Sequence, residues 1–420
     1  MTTDTRLKAW RAVEALRAGV PNRDAVGALG SFQPEVEGRF GEMLATSSRG
    51  GPTSVAEGLI IAGDFGSGKS HLLEYLQHVA LEQNFVCSKV VISKETPLHD
   101  PGKVYSAAVE AAIVPGKAGT GLVEVATRLD FNSAAYRDFF LWVNSPDNDL
   151  SRRFPATVYV FEHGGDPAIS DRVIQFWSGS RLGVSELRGW LKALGEAASY
   201  KVDKVSAREL ALQRYVFAPR LIAAAGFSGW VVLLDEAELI SHYSLQQRAK
   251  SYAEVARLTG KLRGAGIPGL VTVLSITPDF ETRVLDERND EEKVSAKLRA
   301  DGDSAGSLIA SQAERGMRAI RGDKMRLQGL TPDTIGEVFK KLRNLYFSAY
   351  DWEPPPDPPE INSTWRIRQH VKRWINEWDL RRLYPDYQPN IQVAELRQDY
   401  SEVPEMEAAS ESGQDEAEPH

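Results

Sequence analysis

The sequence predicts an α/β protein built on a parallel β-sheet, with a mostly helical insertion and a helical C-terminal domain. Three apolar runs indicate the sheet: "EGLIIAGD" at 57–64, "GWVVLLDEAEL" at 229–239 and "GLVTVLSITPDF" at 269–280. Their aliphatic and β-branched residues are typical of strands buried on both faces. Residues 70–83 and 246–266 have helical character, so strands and helices alternate along the chain.

Composition excludes several classes of protein. With 42% hydrophobic and 26% charged residues in 420, the chain resembles an ordinary globular protein with more than one domain. No apolar run reaches eighteen residues and the first twenty residues lack a signal-peptide core, which predicts a cytoplasmic protein without membrane segments. Cys87 is the single cysteine and lies in the apolar run "NFVCSKVVI", so we expect it to be buried. Histidine spacing does not suit structural zinc.

The negative charge is concentrated at the C-terminus. Net charge is −8, and residues 401–420 contain seven acidic residues but no Lys or Arg. We therefore predict an acidic, disordered tail and a nearly neutral body, on which a basic nucleic-acid-binding face remains an option.

The stretch "GDFGSGKS" matches the phosphate-loop pattern G-x-x-x-x-G-K-[ST]. An apolar strand precedes it, and Leu72, Leu73 and Leu76 follow at helical spacing, which is the context that the pattern requires. The alternative is a glycine turn at the start of a core helix. The residues predicted to bind phosphates are Gly63, Asp64, Phe65, Gly66, Ser67, Gly68, Lys69 and Ser70.

The chemistry of this loop predicts ATP and Mg²⁺ as cofactors. Glycines let consecutive backbone N–H groups point at a β-phosphate, and the following helix adds its positive N-terminal dipole. Lys69 is expected to reach the β- and γ-phosphates, while the Ser70 hydroxyl ligates Mg²⁺.

Polar residues follow the other two predicted strands. Asp235 and Glu236 come after an apolar run, where Asp235 would hold Mg²⁺ through water and Glu236 would activate the attacking water. Acidic residues also cap helices at such positions. Thr277 ends the 269–280 run and is a candidate sensor of the γ-phosphate or of the water, or a simple turn residue.

The order of these motifs resembles that of the AAA+ ATPases. The phrases "RAVEALRAGVPNRDAVGALG", "ETPLHDPGKVY" and "GFSGWVVLLDEAELI" resemble, more narrowly, the ATP-binding proteins of BREX phage-defence clusters called BrxD. The resemblance covers most of residues 5–385 and implies a P-loop ATPase core with a helical lid. Val20 and Pro21 would border adenine, unless they only connect two helices.

Two features depart from the usual AAA+ pattern. Lys69 and Asp235 lie 166 residues apart, much more than one or two βα units of roughly thirty residues would need. We therefore predict a mostly helical insertion at about 115–215, with a strand only near "ATVYVFE"; it serves partner binding or stability. The arginine finger that the resemblance implies is assigned to Arg321, with Arg315 and Arg318 nearby, although helix arginines are often only solvated.

The C-terminal region reads as a helical lid. Thr331 is a plausible N-cap for an amphipathic helix, and "EPPPDPPE" at 353–360 is a stiff connector. A second helix would bury Val371, Trp374, Ile375 and Trp378, and its basic residues would face solvent or nucleic-acid phosphates. Arg366 is the candidate lid arginine. The predicted boundaries are 1–50 (N-terminal helical segment), 51–325 (core), 326–400 (lid) and 401–420 (tail).

Three functions compete on the sequence alone. The first is an AAA+ ATPase that remodels or loads a partner such as a DNA helicase, with DNA and a second copy of the chain as further partners. The second is a slowly hydrolysing switch or interaction protein. A small-molecule kinase is disfavoured, because the Asp-Glu pair suits water activation and no acceptor-binding motif is present.

Overall fold

The computed structural model describes residues 3–19, 22–49, 55, 57–64, 67–116, 119, 121–202, 204–262, 266–300, 304–329, 331–356, 365 and 367–386. The predictions for Val20, Pro21, Phe65, Gly66, Arg366 and the tail at 401–420 fall outside these residues.

One mixed sheet forms the centre of the protein. Its strands are β1 (Leu59–Ala62), β2 (Val86–Val91), β3 (Ala112–Ile113), β4 (Trp230–Asp235), β5 (Leu270–Ile276) and β6 (Lys324–Arg326). Their order is β3-β2-β4-β5-β1-β6, and every pair is parallel except β2 with β3. The predicted α/β class with a mostly parallel sheet is confirmed. Because β1, β5 and β4 are adjacent and parallel, their carboxyl ends meet at one edge.

Helices cover the sheet and extend from it. In chain order they are α1 (Thr3–Ala18), α2 (Arg23–Leu29), α3 (Pro34–Arg49), α4 (Lys69–Glu82), α5 (Pro101–Glu110), α6 (Gly121–Ala126), α7 (Ala134–Asn144), α8 (Arg153–His163), α9 (Pro167–Trp177), α10 (Val184–Ala193), α11 (Ala207–Ala224), α12 (Leu245–Leu258), α13 (Asp290–Ala300), α14 (Ser304–Gly322), α15 (Pro332–Tyr350) and α16 (Ile367–Leu383). None of the described helices is both long and apolar enough to cross a membrane.

The sheet has a hydrophobic core on each face. On one face, α3 and α4 pack Phe40 and Leu76 against Ile61 and Val273. Cys87 is fully buried in this core, as its apolar surroundings predict. The other face carries the larger core, which α5, α12 and α14 share with α11 and the other helices between β3 and β4. Burial on both faces explains why β4 and β5 are mostly apolar.

The segment between β3 and β4 is helical throughout its described elements, including one place where we expected a strand. Residues 156–162, "ATVYVFE", belong to α8 rather than to a strand. The prediction rested on β-branched and aromatic content, but α8 buries Phe154, Thr157, Val158 and Val160 and therefore shows no clear helical periodicity. Burial on several sides has overridden local β propensity here.

The two ends of the chain pack together. A third core joins Val13 and Leu16 of α1 with Phe339 of α15 and Trp374 of α16. Arg17 on α1 also donates to both carboxylate oxygens of Asp379 on α16, at 2.9 and 3.0 Å. Thr331 caps α15 by accepting from Thr334 N–H, as predicted. The predicted apolar residues of α16, Val371, Trp374, Ile375 and Trp378, are all buried, so they serve as core.

Candidate active site

The segment after β1 is a tight turn that leads directly into a helix N-terminus. A side chain on Gly63 would displace its neighbours, because a Cβ there would lie 2.5 Å from Ser67 Oγ and 2.7 Å from Leu327 Cδ1. Gly68 has a φ of +99°, in the left-handed region that favours glycine. Since α4 begins at Lys69, the unpaired N–H groups of its first turn are available to an anion at this turn.

The Lys69 ammonium is buried at the base of this turn. Only 7% of the residue is exposed, and Nζ donates to the carbonyls of Gly63 at 2.6 Å and Asp64 at 3.3 Å. It also lies 3.8 Å from Glu238 Oε1. The ammonium therefore folds back onto its own loop, with a carboxylate as its charged neighbour.

Ser70 and Asp235 meet although they are 165 residues apart in sequence. The Ser70 hydroxyl donates to Asp235 Oδ2 at 2.8 Å. The other oxygen, Oδ1, accepts from the Ser275 hydroxyl and from the Glu236 N–H at 3.0 Å. Asp235 is thus held from two sides at the end of β4. A hydroxyl and a carboxylate oxygen are the hard donors that Mg²⁺ takes beside phosphates and water, so this pair fits that ion.

Glu236 holds an unusual backbone conformation directly after β4. Its φ of 59° and ψ of 36° are left-handed, and its N–H also donates to Ser275 Oγ at 3.3 Å. Burial raises the pKa of the Glu236 carboxyl, the Asp235 charge raises it further, and Lys69 opposes both. A carboxyl with a raised pKa beside a phosphate loop is suited to accept a proton from water.

A cavity of about 470 Å³ opens beside the turn, a size that suits a small ligand. Its polar side is lined by Ser67, Gly68, Lys69, Ser70, His71, Asp235, Glu236 and Glu238. The remaining walls combine both ends of the chain and are mostly apolar: Leu16, Gly19, Leu29, Ser31, Phe32, Gln33, Leu327, Val338, Ile367, Arg368 and Val371. One side is therefore suited to charged phosphates and the other to a flat apolar group.

The family described as "BREX system ATP-binding protein BrxC/D" has a model that matches residues 12–127 and 212–363. These two stretches cover more than half of the chain and contain all six strands. The chain belongs to this family. Neither a curated protein nor a solved structure matches it.

Membership confirms the resemblance to BREX ATP-binding proteins and identifies ATP as the nucleotide and phage defence as the setting. The unmatched residues 128–211 contain α7 to α10 and the first turn of α11. The family model therefore leaves out most of the segment that the sequence predicts to be inserted, and it also leaves out residues 1–11 and 364–420, which include α16.

Arg368 lines the cavity, two residues after the predicted lid arginine. It belongs to the first turn of α16, and a Cβ on Gly19 would lie only 2.5 Å from its Nε. Lys372 lies one turn further along α16, and burial together with the Arg368 charge lowers its pKa. The predicted lid arginine, Arg366, lies outside the described residues, and Arg368 is the arginine of this region that lines the cavity among those described.

Thr277 and Arg321 are absent from the described residues that line the cavity. Thr277 is buried just beyond the end of β5, between β1 and β4 in the sheet. Arg321 at the end of α14 is held by Asp286 at 2.7 Å, Glu291 at 3.2 Å and Glu281 at 3.7 Å. A role at a neighbouring subunit's nucleotide would require these ion pairs to open.

Sequence reasoning missed two residues of the site. Ser275 holds Asp235, and its position near the end of β5, two residues before Thr277, was an available signal. Glu238 completes the sequence "DEAE", and a polar residue three positions after Asp235 in a buried segment was the clue. Burial raises the pKa of Glu238 to about 7, with Lys69 opposing the change.

Proposed function

We propose that this protein is an AAA+-type ATPase that binds Mg²⁺–ATP in the cavity and hydrolyses it to remodel or load a partner. The observation that supports this best is the contact between Ser70 and Asp235, with Lys69 and Glu236 beside it. Four groups of complementary chemistry converge there from two distant parts of the chain. The position of β5, with its polar end between β1 and β4, is consistent with the AAA+ type.

Each residue of the polar side has a defined role in this proposal. The backbone of 63–70 and the start of α4 bind the phosphates, and Lys69 leaves its own loop to pair with the β- and γ-phosphates. Ser70 and Asp235 hold Mg²⁺, which neutralises phosphate charge when bound. Glu236 orients and deprotonates the attacking water, for which its raised pKa is favourable. Thr277 remains the candidate sensor at the end of β5.

The apolar walls are assigned to adenine, and the C-terminal helices to a lid. Leu16, Leu29, Phe32 and Val338 offer an apolar slot of the kind that takes a planar base. Arg368 lines the cavity and is proposed as a lid arginine beside Arg366, which lies outside the described residues. Contact between Arg368 and the γ-phosphate would favour a closed lid, so that ATP stabilises the closed state and ADP the open state.

The proposed partners are DNA, a helicase or other defence protein, and a second copy of the chain that would supply Arg321 as a finger. A switch that hydrolyses slowly is the second candidate. It is favoured by the three carboxylates that pair with Arg321, because Arg321 would have to leave them to reach a neighbouring subunit's nucleotide. Without a finger, such a site binds ATP but turns it over slowly.

ATP turnover by the full chain, with and without single- and double-stranded DNA, tests this proposal. We expect Lys69→Ala to lose ATP binding and Glu236→Gln to bind ATP but lose at least about 100-fold in turnover, because the base is gone. Lys192→Ala, which removes an exposed lysine of α10, is the matched control. Tight ATP binding without turnover under any DNA condition would contradict an ATPase that remodels or loads a partner and would favour the slowly hydrolysing switch.

A further inference from the structure

We propose that Glu238 is a positioning residue that competes with the nucleotide phosphates for Lys69 and thereby weakens polyphosphate binding. This inference rests on the proposed role of Lys69 in binding the β- and γ-phosphates. It assigns a function to a buried carboxylate that the hydrolytic mechanism does not use.

Glu238 is almost completely buried, which is unusual for a glutamate. Only 2% of the residue is exposed, yet it lines the cavity. Its Oε1 lies 3.8 Å from Lys69 Nζ, whereas Oε2 is buried without a hydrogen-bond partner among the described residues. An incompletely satisfied buried carboxylate is costly, so Lys69 is the main group that offsets its charge.

The local fold fixes Glu238 in this position. The left-handed Glu236 turns the chain into a 3-10 helix, Ala237–His242, which carries Glu238 beneath the phosphate loop. The far end of this helix is anchored, because Arg288 donates to the Ser241 carbonyl at 2.8 Å and Arg248 to the Tyr243 carbonyl at 2.7 Å. Glu238 therefore cannot follow Lys69 by moving its backbone freely.

The competition follows from charge. In the structure Lys69 is shared among two loop carbonyls and Glu238. A di- or triphosphate draws the ammonium toward itself and leaves Glu238 near added negative charge, beside Asp235 and Glu236. Like charges close together in a poorly solvated site repel each other strongly. A nucleoside monophosphate, whose phosphate does not reach Lys69, escapes this penalty.

Glu238→Gln in the full chain tests the idea, since it removes the charge and retains the shape. At about pH 8, where Glu238 is mostly ionised, we expect the Kd for ADP and ATP, measured by titration calorimetry, to fall at least about threefold, and the Kd for AMP to stay unchanged. In a Lys69→Met background the same substitution should have a smaller effect, as a double-mutant cycle would report. Glu254→Gln is the matched control, because Glu254 is equally buried but paired with Arg208 and Arg257.

Unchanged or weaker ADP binding in a folded Glu238→Gln protein would overturn the inference, as would an equal gain for AMP. If that variant does not fold, Glu238→Asp takes its place. Its shorter carboxylate lies further from Lys69, and we expect tighter ADP binding for this variant as well. Unchanged ADP binding by a folded Glu238→Asp protein would overturn the idea. Failure of the proposed function looks different. In that case Lys69→Met binds ADP as well as the unmodified chain does.

Discussion

Glu236 holds a left-handed conformation that non-glycine residues rarely adopt, with a φ of 59°. Such a conformation persists only where the surroundings enforce it, and it often marks a functional site. Here the Glu236 N–H is held by Asp235 and Ser275, while the Ser275 hydroxyl is held by Asp235 in turn. Two side chains on neighbouring strands, Asp235 of β4 and Ser275 of β5, therefore define where the acidic pair points.

Ser275→Ala should loosen Asp235 without touching nucleotide. Removing one donor to a buried carboxylate costs about 1–3 kcal/mol, so we expect the Mg²⁺ concentration for half-maximal ATP binding to rise at least about fivefold. A Mg²⁺ titration of ATP binding measures this. Ser251→Ala is the control, since Ser251 is also fully buried but its hydroxyl has no partner among the described residues. Equal effects of the two changes would contradict the role of Ser275.

A buried ion pair connects the helices that follow β4 and β5. Arg248 on α12 donates to both oxygens of Asp290 at the start of α13, at 2.8 and 2.9 Å, and Tyr252 donates to the same carboxylate at 2.7 Å. Asp290 is completely buried and Arg248 nearly so. Because Arg248 also binds the Tyr243 carbonyl, this pair links the segment after Glu236 to the region that carries Arg321.

Arg248→Met should therefore strongly destabilise the fold. It leaves the Asp290 charge buried and without its cation, which costs about 3–5 kcal/mol in free energy of unfolding. Urea unfolding followed by tryptophan fluorescence measures the change. Lys340→Met breaks the exposed pair with Glu337 on α15 and should cost less than about 1 kcal/mol. A loss below about 1 kcal/mol for Arg248→Met would contradict this stabilising role of the pair.

At the scale of the whole molecule, the N-terminal helices α1 and α2 and the C-terminal helices α15 and α16 form one helical unit beside the cavity. α1 and α2 share a core with α15 and α16, and both ends supply cavity walls, as Leu16 and Val338 illustrate. The N-terminal helices thus contribute walls of the cavity through Leu16 and Leu29, on either side of Val20 and Pro21, for which the resemblance to AAA+ ATPases implies a position beside adenine. Nucleotide binding should order both ends together.

Hydrogen exchange with mass spectrometry tests this coupling. On addition of Mg²⁺–ATP we expect slower amide exchange in α1, α2, α15 and α16 alike, because the base would contact walls from both ends. The helix α9, remote in sequence from every described cavity residue, provides the internal control. The Lys69→Ala protein should show no protection. Protection confined to 63–82 would mean that the ends do not respond as one body.

The sequence by itself determined the features that depend on near neighbours in the chain. The glycine spacing of 63–70, the apolar runs ahead of Asp235 and Thr277, and the cap at Thr331 are local patterns, and the sheet, α4 and α15 follow them. Local sequence carries such information because strand burial, turn geometry and helix capping are decided within a few residues.

Only the tertiary structure decided which distant residues meet. It places Ser70 against Asp235, Arg368 in the cavity, and Glu238 beside Lys69, and it converts an expected strand at 156–162 into part of α8. These outcomes depend on packing across more than a hundred residues, where the burial of each side chain is set by elements far away in the chain. Local propensity is too weak to decide them.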